Sequence, residues 1–301
     1  MFHSSPNKRF RRRRILITGA GGQLGLALQE LLSENVQLCA LDRKALDITD
    51  AQRVHQVVAE FKPDWIINAA GYTAVDKAET EVEKAFAVNR DGAENLARAA
   101  SSVAARMVHI STDYVFDGRQ TRPYLPNDAT HPINIYGDSK LAGEKATREI
   151  LADNLLIVRT AWVYSQNGKN FLTTMLKLMR ELEEVKVVDD QIGSPTSVYS
   201  LAAAILMAID YDMTGLYHWT DAGVASRYDF AIAIKELAEL AGLIDGQCRI
   251  LPIPSTIYQA HAMRPGYCIL DKAPFRQALS MSGQQWRIEL HDVIARLSVS
   301  G

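Results

Sequence analysis

The feature that most constrains the fold is a glycine-rich turn directly after the first apolar segment. Residues 14–18 (RILIT) have the β-branched, apolar character of a buried strand, and residues 23–32 (QLGLALQELL) repeat leucine at helical spacing. Between these segments, Gly19, Gly22 and Gly25 recur at intervals of three residues. A strand that turns sharply into a helix packed against it requires glycines at such places. The chain is therefore expected to begin a parallel α/β sheet here.

The N-terminal half repeats this unit of strand, turn and helix. Further short apolar strands are predicted at residues 36–42, 64–71, 106–112 and 154–160, with helical patterns between them. Strands that are nearly all apolar and alternate with helices indicate a parallel sheet covered on both faces. After about residue 170 the pattern is less regular. We expect an α/β fold, a Rossmann-like doubly wound parallel sheet, with a smaller C-terminal lobe.

Composition excludes several classes of protein. The 33 basic and 35 acidic residues nearly cancel, so the whole molecule is not expected to bind nucleic acid. A basic run, Lys8–Arg14, is interpreted as part of a solvated, disordered tail over residues 1–13. The three cysteines, Cys39, Cys248 and Cys268, lack the spacing of a zinc site or a disulfide framework. With no apolar run long enough to cross a bilayer, a cytoplasmic protein without a membrane partner is expected.

The glycine turn predicts a dinucleotide site. Gly22 lets the backbone approach a pyrophosphate, and the N–H groups at Gln23 and Leu24 begin a helix whose positive end attracts it. Asp42 ends the second strand about 20 residues further on, where a carboxylate can hold the adenine ribose. The following Arg43 can neutralise a 2′-phosphate, or can equally belong to a solvated turn. We expect NADPH, with NADH possible.

Two further segments are candidates for cofactor contacts. Ala69, Ala70 and Gly71 end the third strand with small residues, which suits a backbone edge that lies against the cofactor. The same small residues could instead admit a helix above the strand. By the same topology, Asp47 and Ile48 are expected near the adenine.

The candidate catalytic residues follow in chain order. Ser111 and Thr112 stand at the carboxyl end of the fourth strand, where open α/β sheets bind ligands. Tyr136 and Lys140 are four residues apart and so share one face of a helix. A free phenol has a pKa of ~10, and an ammonium beside it, with an oxidised nicotinamide, lowers that pKa. Alone this pair is a common helix pattern; after the glycine turn it predicts a proton donor.

Five motifs together, TGAGGQLG, STDYVF, YGDSKLAGE, VRTAWVY and DQIGSPTS, resemble the extended short-chain dehydrogenase/reductases. The resemblance implies that Tyr136 donates a proton, that Lys140 lowers its pKa and holds the nicotinamide ribose, and that Thr112 bonds the substrate ketone. Hydride would pass from NADPH to C4 of a dTDP-linked 4-keto-6-deoxy sugar. From the change of pattern after residue 170 we expect an NAD(P)-binding domain over residues 14–169 and a mainly substrate-binding lobe over residues 170–301, interleaved with the end of the main sheet.

The resemblance extends to substrate contacts and to assembly. The side chains that look like sugar and nucleotide contacts are Thr73, Val75, Thr112, Asp113, Trp162 and Arg264. The plainer alternatives are helix-capping polarity, a core tryptophan and a surface arginine. Some members of the family pair through a magnesium-binding face that includes a glutamate after the glycine motif, where this chain has Leu26 and Ala27. We therefore expect no essential metal, and either a monomer or a homodimer.

Other functions are kept open. Related sugar-nucleotide dehydratases carry an Asp-Glu pair after the equivalent threonine, whereas Asp113 is followed here by Tyr114, so elimination is disfavoured and epimerisation less firmly so. A non-catalytic, cofactor-binding regulatory subunit of the same fold is a second possibility. Nucleic-acid binding through Lys8–Arg14 is a third. In the helix of the Tyr–Lys pair, Gly143 is expected to permit close packing and Glu144 to be solvated.

Overall fold

The computed structural model describes residues 13–258 and 260–299. The predicted basic tail therefore lies outside the described residues except for Arg13, whose guanidinium pairs with Asp212 at 3.3 Å.

The strands, in chain order, are β1 (Arg14–Thr18), β2 (Gln37–Leu41), β3 (Trp65–Asn68), β4 (Arg106–Thr112), β5 (Leu155–Thr160), β6 (Val163–Tyr164), β7 (Glu184–Val188), β8 (Ile192–Gly193), β9 (Thr196–Ser197), β10 (Gly215–His218), β11 (Ala225–Ser226) and β12 (Arg249–Ile253).

The α-helices are α1 (Gln23–Leu31), α2 (Ala51–Phe61), α3 (Val75–Ala78), α4 (Val82–Phe86), α5 (Gly92–Ser102), α6 (Ile135–Leu151), α7 (Phe171–Glu181), α8 (Val198–Asp210), α9 (Arg227–Leu240), α10 (Ala273–Leu279) and α11 (Trp286–Val299). A π-helical turn (Ala87–Asp91) joins α4 to α5, a 3-10 turn (Asp113–Val115) follows β4, and a second 3-10 turn (Ala152–Asn154) follows α6.

The central sheet confirms the expected doubly wound fold. Its six strands are parallel and lie in the order β10-β5-β4-β3-β1-β2. The chain starts at β1, adds β2 on one side, and then crosses to β3 on the other. This change of direction opens a crevice at the carboxyl ends of β1 and β3, which is where ligands bind in such sheets.

Both faces of the sheet are covered, which explains why most residues of its strands are apolar. In β1, Ile15 and Ile17 pack into a core shared with α1 and α8. Leu16, between them, points to the opposite core with α2 and α5. Successive strand residues face opposite sides, so a sheet buried twice needs apolar residues at every position.

The C-terminal third contributes both to the sheet and to a second core. β10 pairs in parallel with β5 and completes the central sheet. β7 pairs with β12, and together with α7, α9 and α11 these strands enclose a separate core around Leu172, Phe230 and Trp286. We refer to the elements around this second core as the C-terminal lobe. Across residues 13–258 and 260–299, no helix has the length and apolar character needed to cross a membrane.

Candidate active site

The glycine turn brings β1 against the end of β3. Gly19 has a left-handed φ of +70°, and a Cβ there would lie 2.6 Å from the Ala70 nitrogen. A Cβ on Gly25 would overlap the Gly19 carbonyl oxygen, so both positions require glycine. Gly22 is the N-cap of α1 and brings no side chain over the first turn. The turn is thus an open cradle with unpaired N–H groups, which fits a pyrophosphate.

The first helical residue ties this cradle to the C-terminal lobe. The Gln23 Oε1 accepts a hydrogen bond from Ser165 Oγ at 2.8 Å and one from Asn170 Nδ2 at 2.9 Å. Asn170 is also the N-cap of α7. Leu24, by contrast, is 9% exposed and packs into the core between α1 and α8, so only its main chain can face a ligand.

The predicted ribose carboxylate lies beside the turn. The Asp42 Cβ is 3.5 Å from the position of a Cβ on Gly21, and the side chain is exposed. Its Oδ1 accepts hydrogen bonds from the Lys44 and Ala45 main-chain nitrogens, at 3.0 and 2.9 Å. These bonds orient the carboxylate and leave its second oxygen for a hydroxyl.

The other predicted adenosine residues form a rim beyond Asp42. The Arg43 side chain is 74% exposed and its Nε lies 3.7 Å from an Asp47 carboxylate oxygen. So exposed a pair is weak, and the guanidinium is free to turn toward a phosphate. Ile48 is buried and its side chain would collide with a Cβ on Gly92, so it fills the space between the rim and α5. Only the main chain of Ile48 is left for a ligand contact.

Helix α6 carries the Tyr–Lys pair, and an N-cap and two close-packed glycines fix its position. The Asn134 side chain caps it by accepting a hydrogen bond from the Gly137 nitrogen at 2.7 Å. A Cβ on Gly137 would overlap the Tyr114 carbonyl oxygen, and one on Gly143 would overlap the Asn89 carbonyl oxygen. The expectation for Gly143 is therefore confirmed. The two glycines let α6 press against the first 3-10 turn and the π-helical turn.

Tyr136 and Thr112 meet at the carboxyl end of β4. The Tyr136 ring packs edge-to-face on Tyr114, with centroids 5.5 Å apart. Burial raises the pKa of Tyr136, and the nearby Thr112 hydroxyl offsets this rise only in part. The expected lowering of that pKa is wrong for the protein alone, because desolvation of a phenolate dominates. The phenol therefore keeps its proton at neutral pH, as a proton donor must.

Lys140 lies between two strand ends. Its Nζ donates a 2.6 Å hydrogen bond to the Ile110 carbonyl of β4, and lies 4.0 Å from the position of a Cβ on Gly71. Burial lowers the pKa of Lys140 to about 8, against the opposing charge of Glu144. The ammonium thus stays largely protonated at pH 7 and lies beside the strand end predicted to meet the cofactor. Ser111 Oγ, in contrast, is enclosed and has no hydrogen-bond partner among the described residues.

Asn89, which the sequence interpretation missed, connects these pieces. Its Oδ1 accepts from the Tyr72 nitrogen at 2.8 Å, and its Nδ2 donates to Ser139 Oγ at 2.9 Å. It lies in the π-helical turn, a distortion that recurs at functional sites. Asn89 thereby fixes the loop after β3 relative to α6. The sequence offered no clear signal for this role, because the charged residues Arg90 and Asp91 follow Asn89 directly.

The residue after Thr112 is a buried acid. Asp113 is 2% exposed and its Oδ1 accepts a 3.0 Å hydrogen bond from Thr112 Oγ1. Burial raises the pKa of Asp113 to about 7, although the Thr112 bond and the nearby Arg227 guanidinium act to lower it. The predicted contact between Asp113 and a substrate stays a prediction.

Trp162 and Arg227 form a stacked wall beside Asp113. Trp162 adopts a left-handed φ of +48°, and its indole lies where a Cβ on Gly193 would stand. The Arg227 guanidinium lies 3.6 Å from the centre of the indole, close enough for a strong cation–π contact. Arg227 was not predicted from the sequence; an arginine directly after a Ser N-cap was the only available signal.

The remaining predicted substrate residues come together at the mouth of the site. The Arg264 guanidinium pairs with an Asp76 carboxylate oxygen at 2.7 Å. Thr73 is exposed in the loop before α3, and Val75 is the first residue of that helix. Segments far apart in sequence thus converge, and the individual substrate contacts stay predictions.

No group of three or more His, Cys, Asp or Glu side chains that could hold a metal ion occurs in the part of the chain that the structure describes. Leu26, at the position considered for a metal-bridged dimer, is 41% exposed.

The fold, the glycine cradle and the Thr–Tyr–Lys arrangement define an extended short-chain dehydrogenase/reductase. More narrowly, the chain belongs to the RmlD substrate binding domain family, whose model matches residues 13–299.

Known relatives agree over nearly the whole chain. The dTDP-4-dehydrorhamnose reductase of Escherichia coli K12 is 40% identical over 292 residues, 94% of this chain and 97% of that protein. The dTDP-4-keto-6-deoxy-D-glucose reductase of Streptomyces niveus is 40% identical, over 92% of this chain and 95% of that protein. A crystal structure of the Bacillus anthracis dTDP-4-dehydrorhamnose reductase, in complex with NADP, superposes with a TM-score of 0.89 at 40% identity and covers 95% of this chain and 100% of that one.

Proposed function

We propose that this protein is an NADPH-dependent oxidoreductase that reduces the C4 ketone of dTDP-4-dehydrorhamnose to give dTDP-L-rhamnose. The observation that carries the proposal is the Tyr136 phenol next to the Thr112 hydroxyl, with Lys140 one turn further along α6 and bonded to the Ile110 carbonyl of β4. The names of the E. coli and B. anthracis relatives support this substrate. The S. niveus relative supports a second candidate, reduction of dTDP-4-keto-6-deoxy-D-glucose.

Three side chains act at the ketone. Bound NADPH supplies the hydride. Tyr136 gives its proton to the C4 oxygen as the new alcohol forms, and Thr112 holds the oxygen in line with the phenol. Proton transfer leaves a negatively charged phenolate on Tyr136. The ammonium of Lys140 lies nearby and lowers the energetic cost of this negative charge.

The cofactor is held from β1 to β3. The Gly19–Gly22–Gly25 turn and the N–H groups of Gln23 and Leu24 bind the pyrophosphate. Asp42 and Arg43 meet the adenosine ribose and its 2′-phosphate, with Asp47 and the Ile48 main chain near the adenine. Ala69, Ala70 and Gly71 line the nicotinamide half, where Lys140 holds the ribose.

The substrate enters from the side of the C-terminal lobe. The sugar and nucleotide contact Thr73, Val75 and Trp162, and the Arg264 guanidinium pairs with the diphosphate. The reaction runs in the cytoplasm, in a monomer or a homodimer; the free thiols of Cys39, Cys248 and Cys268 support a reducing compartment. No nucleic acid or membrane takes part.

The proposed reaction is tested by mixing the full chain with NADPH and dTDP-4-dehydrorhamnose and following nicotinamide absorbance. Oxidation of one NADPH per sugar, with dTDP-L-rhamnose as product, is the expected result. The same assay with dTDP-4-keto-6-deoxy-D-glucose distinguishes the second candidate. Absence of oxidation with every 4-keto sugar nucleotide would exclude the reductase and favour a cofactor-binding regulatory protein.

Cofactor preference tests the role of Arg43. Arg43→Ala should raise the KM for NADPH by about 10- to 150-fold, since it removes a charged partner worth about 1.5–3 kcal/mol from the 2′-phosphate, and should leave the KM for NADH unchanged. The matched control is Arg53→Ala, which removes an exposed arginine from α2. Equal changes in the KM values for NADPH and NADH would show that Arg43 does not contact the 2′-phosphate.

A further inference from the structure

We propose that Arg227 binds the sugar-side phosphate of the substrate's diphosphate, as a second cation beside Arg264. The inference rests on the proposed function and deepens it, because the sugar nucleotide of that reaction carries two phosphates directly next to the sugar. Arg227 was not among the substrate contacts predicted from the sequence.

Strand β8 brings the two arginines to the same region of the protein. On one side, β8 pairs antiparallel with β11, and α9 begins with Arg227 directly after β11. On the other side, the Ile192 nitrogen of β8 donates a 2.8 Å hydrogen bond to the Gly266 carbonyl oxygen, two residues after Arg264. Burial lowers the pKa of Arg227, and the positive charge of Arg264 acts in the same direction. The two guanidinium groups are thus neighbours.

The same segment lies against the turn that follows β4. The Cys268 thiol lies 3.4 Å from the Asp113 carbonyl oxygen. Asp113 directly follows Thr112, which is proposed to hold the ketone oxygen, and Asp113 and Tyr114 of this turn both act electrostatically on Arg227. The Arg227 guanidinium is therefore next to the turn that holds the sugar, and the phosphate attached to the sugar is the nearer of the two.

Aromatic rings hold the guanidinium in place. Its central carbon lies 3.6 Å from the centre of the Trp162 indole and 5.3 Å from the centre of the Phe171 ring. Stacking uses the face of the planar guanidinium and leaves the N–H groups on its edge for hydrogen bonds, which is the geometry that matches two phosphate oxygens. The rings therefore orient Arg227 for an anion without taking up its charge.

Arg227 lacks a close acidic partner. No carboxylate oxygen of the described residues lies within 4 Å of its guanidinium nitrogens. The nearest acid in the sequence, Asp229, instead accepts hydrogen bonds from the Ser226 nitrogen and hydroxyl at the start of α9. Burial raises the pKa of Asp113 to about 7, so this carboxyl group compensates Arg227 only in part at neutral pH. A partly buried cation in this state favours an incoming anion.

Arg264 differs in this respect. Its guanidinium lies 2.7 Å from an Asp76 carboxylate oxygen, so much of its charge is compensated before a substrate arrives. Each phosphate of a diphosphate carries negative charge, and two neighbouring cations complement it better than one that is already paired. Arg227 supplies the charge that Arg264 shares with Asp76.

Calorimetric titration with dTDP and with dTMP tests the proposal, using the full chain saturated with NADP⁺. dTDP contains the phosphate to which the sugar is attached, and dTMP lacks it. Arg227→Gln should weaken dTDP binding about tenfold or more, the usual effect of removing a charge-assisted hydrogen bond, and should weaken dTMP binding by less than about threefold. Arg227→Lys keeps the charge without the planar fork and should lie between the wild type and Arg227→Gln.

Arg287→Gln is the matched control. Arg287 also lies over a tryptophan, 5.8 Å from the centre of the Trp286 ring, but it is exposed and paired with Glu236. Its replacement should leave dTDP binding unchanged. Added salt should weaken dTDP binding to the wild type more steeply than to Arg227→Gln, an effect that a loss of packing alone does not produce.

Unchanged dTDP binding in Arg227→Gln, or no dTDP binding by the wild type, would overturn the proposal. Equal weakening of dTDP and dTMP would also overturn it, because Arg227 would then act by supporting the Trp162 ring. Weakened NADPH binding in the same variant would place the effect at the cofactor site or in the fold. A wild-type protein that binds dTDP as expected but oxidises no NADPH would refute the proposed reduction and leave the phosphate site standing.

Discussion

Tyr136→Phe is expected to lower kcat by about 10²–10⁴-fold, the usual contribution of a general acid placed at the reacting atom. The raised pKa of Tyr136 agrees with a phenol that keeps its proton at neutral pH, and phenylalanine retains the ring that packs on Tyr114 while it removes that proton. Binding of NADPH should change little, because the glycine cradle and Lys140 are untouched.

The measurement is steady-state NADPH oxidation together with a titration of NADPH binding by fluorescence. Tyr211→Phe is the control, since Tyr211 is 55% exposed and lies at the end of α8. Turnover of Tyr136→Phe near the wild-type rate would show that another group protonates the ketone. A parallel loss of NADPH binding would indicate that the substitution disturbs α6 rather than proton transfer.

Glu144→Ala is expected to lower the free energy of unfolding by about 3–5 kcal/mol, the cost of leaving one member of a buried ion pair alone. Glu144 was expected to be solvated, and this prediction is wrong. Its carboxylate oxygens accept hydrogen bonds from Arg159 Nε and Nη2 at 2.8 and 2.7 Å, and the two side chains are 3% and 4% exposed. Without Glu144, the guanidinium of β5 stays desolvated and uncompensated.

Urea unfolding of the full chain measures this effect. The control is Glu149→Ala, an exposed position on α6, which should change stability by no more than about 0.5 kcal/mol. Replacing both partners, with Glu144→Leu and Arg159→Met, should recover much of the loss, because no isolated charge is then buried. A small effect of Glu144→Ala alone would show that water reaches Arg159.

The fold was predictable where local pattern and burial agree. β1 and β4 begin and end at the predicted residues. β10 was not predicted. Its four residues are too short to show a strand period, and it forms only because β5 offers an unpaired edge.

The site divides in the same way. The glycine turn and the Tyr136–Lys140 pair could be predicted from residue spacing, because each depends on residues only a few positions apart. Asn89, Arg227 and the burial of Glu144 could not, since each depends on a partner far along the sequence. The rise of the Tyr136 pKa in the protein without cofactor was also not predicted, because spacing places a charge nearby but does not reveal how much water the fold excludes.

By itself the sequence determined the class of fold, the position of the glycine turn and the placing of Tyr136 and Lys140 on one face of a helix. These properties follow from backbone freedom at glycine and from helical periodicity, which act over a few residues. Only the tertiary structure decided which charges are buried and paired, how Thr112 bonds to the buried Asp113, and how Arg227 stacks on Trp162. The physical reason is that desolvation and hydrogen bonding between distant segments depend on the packed whole.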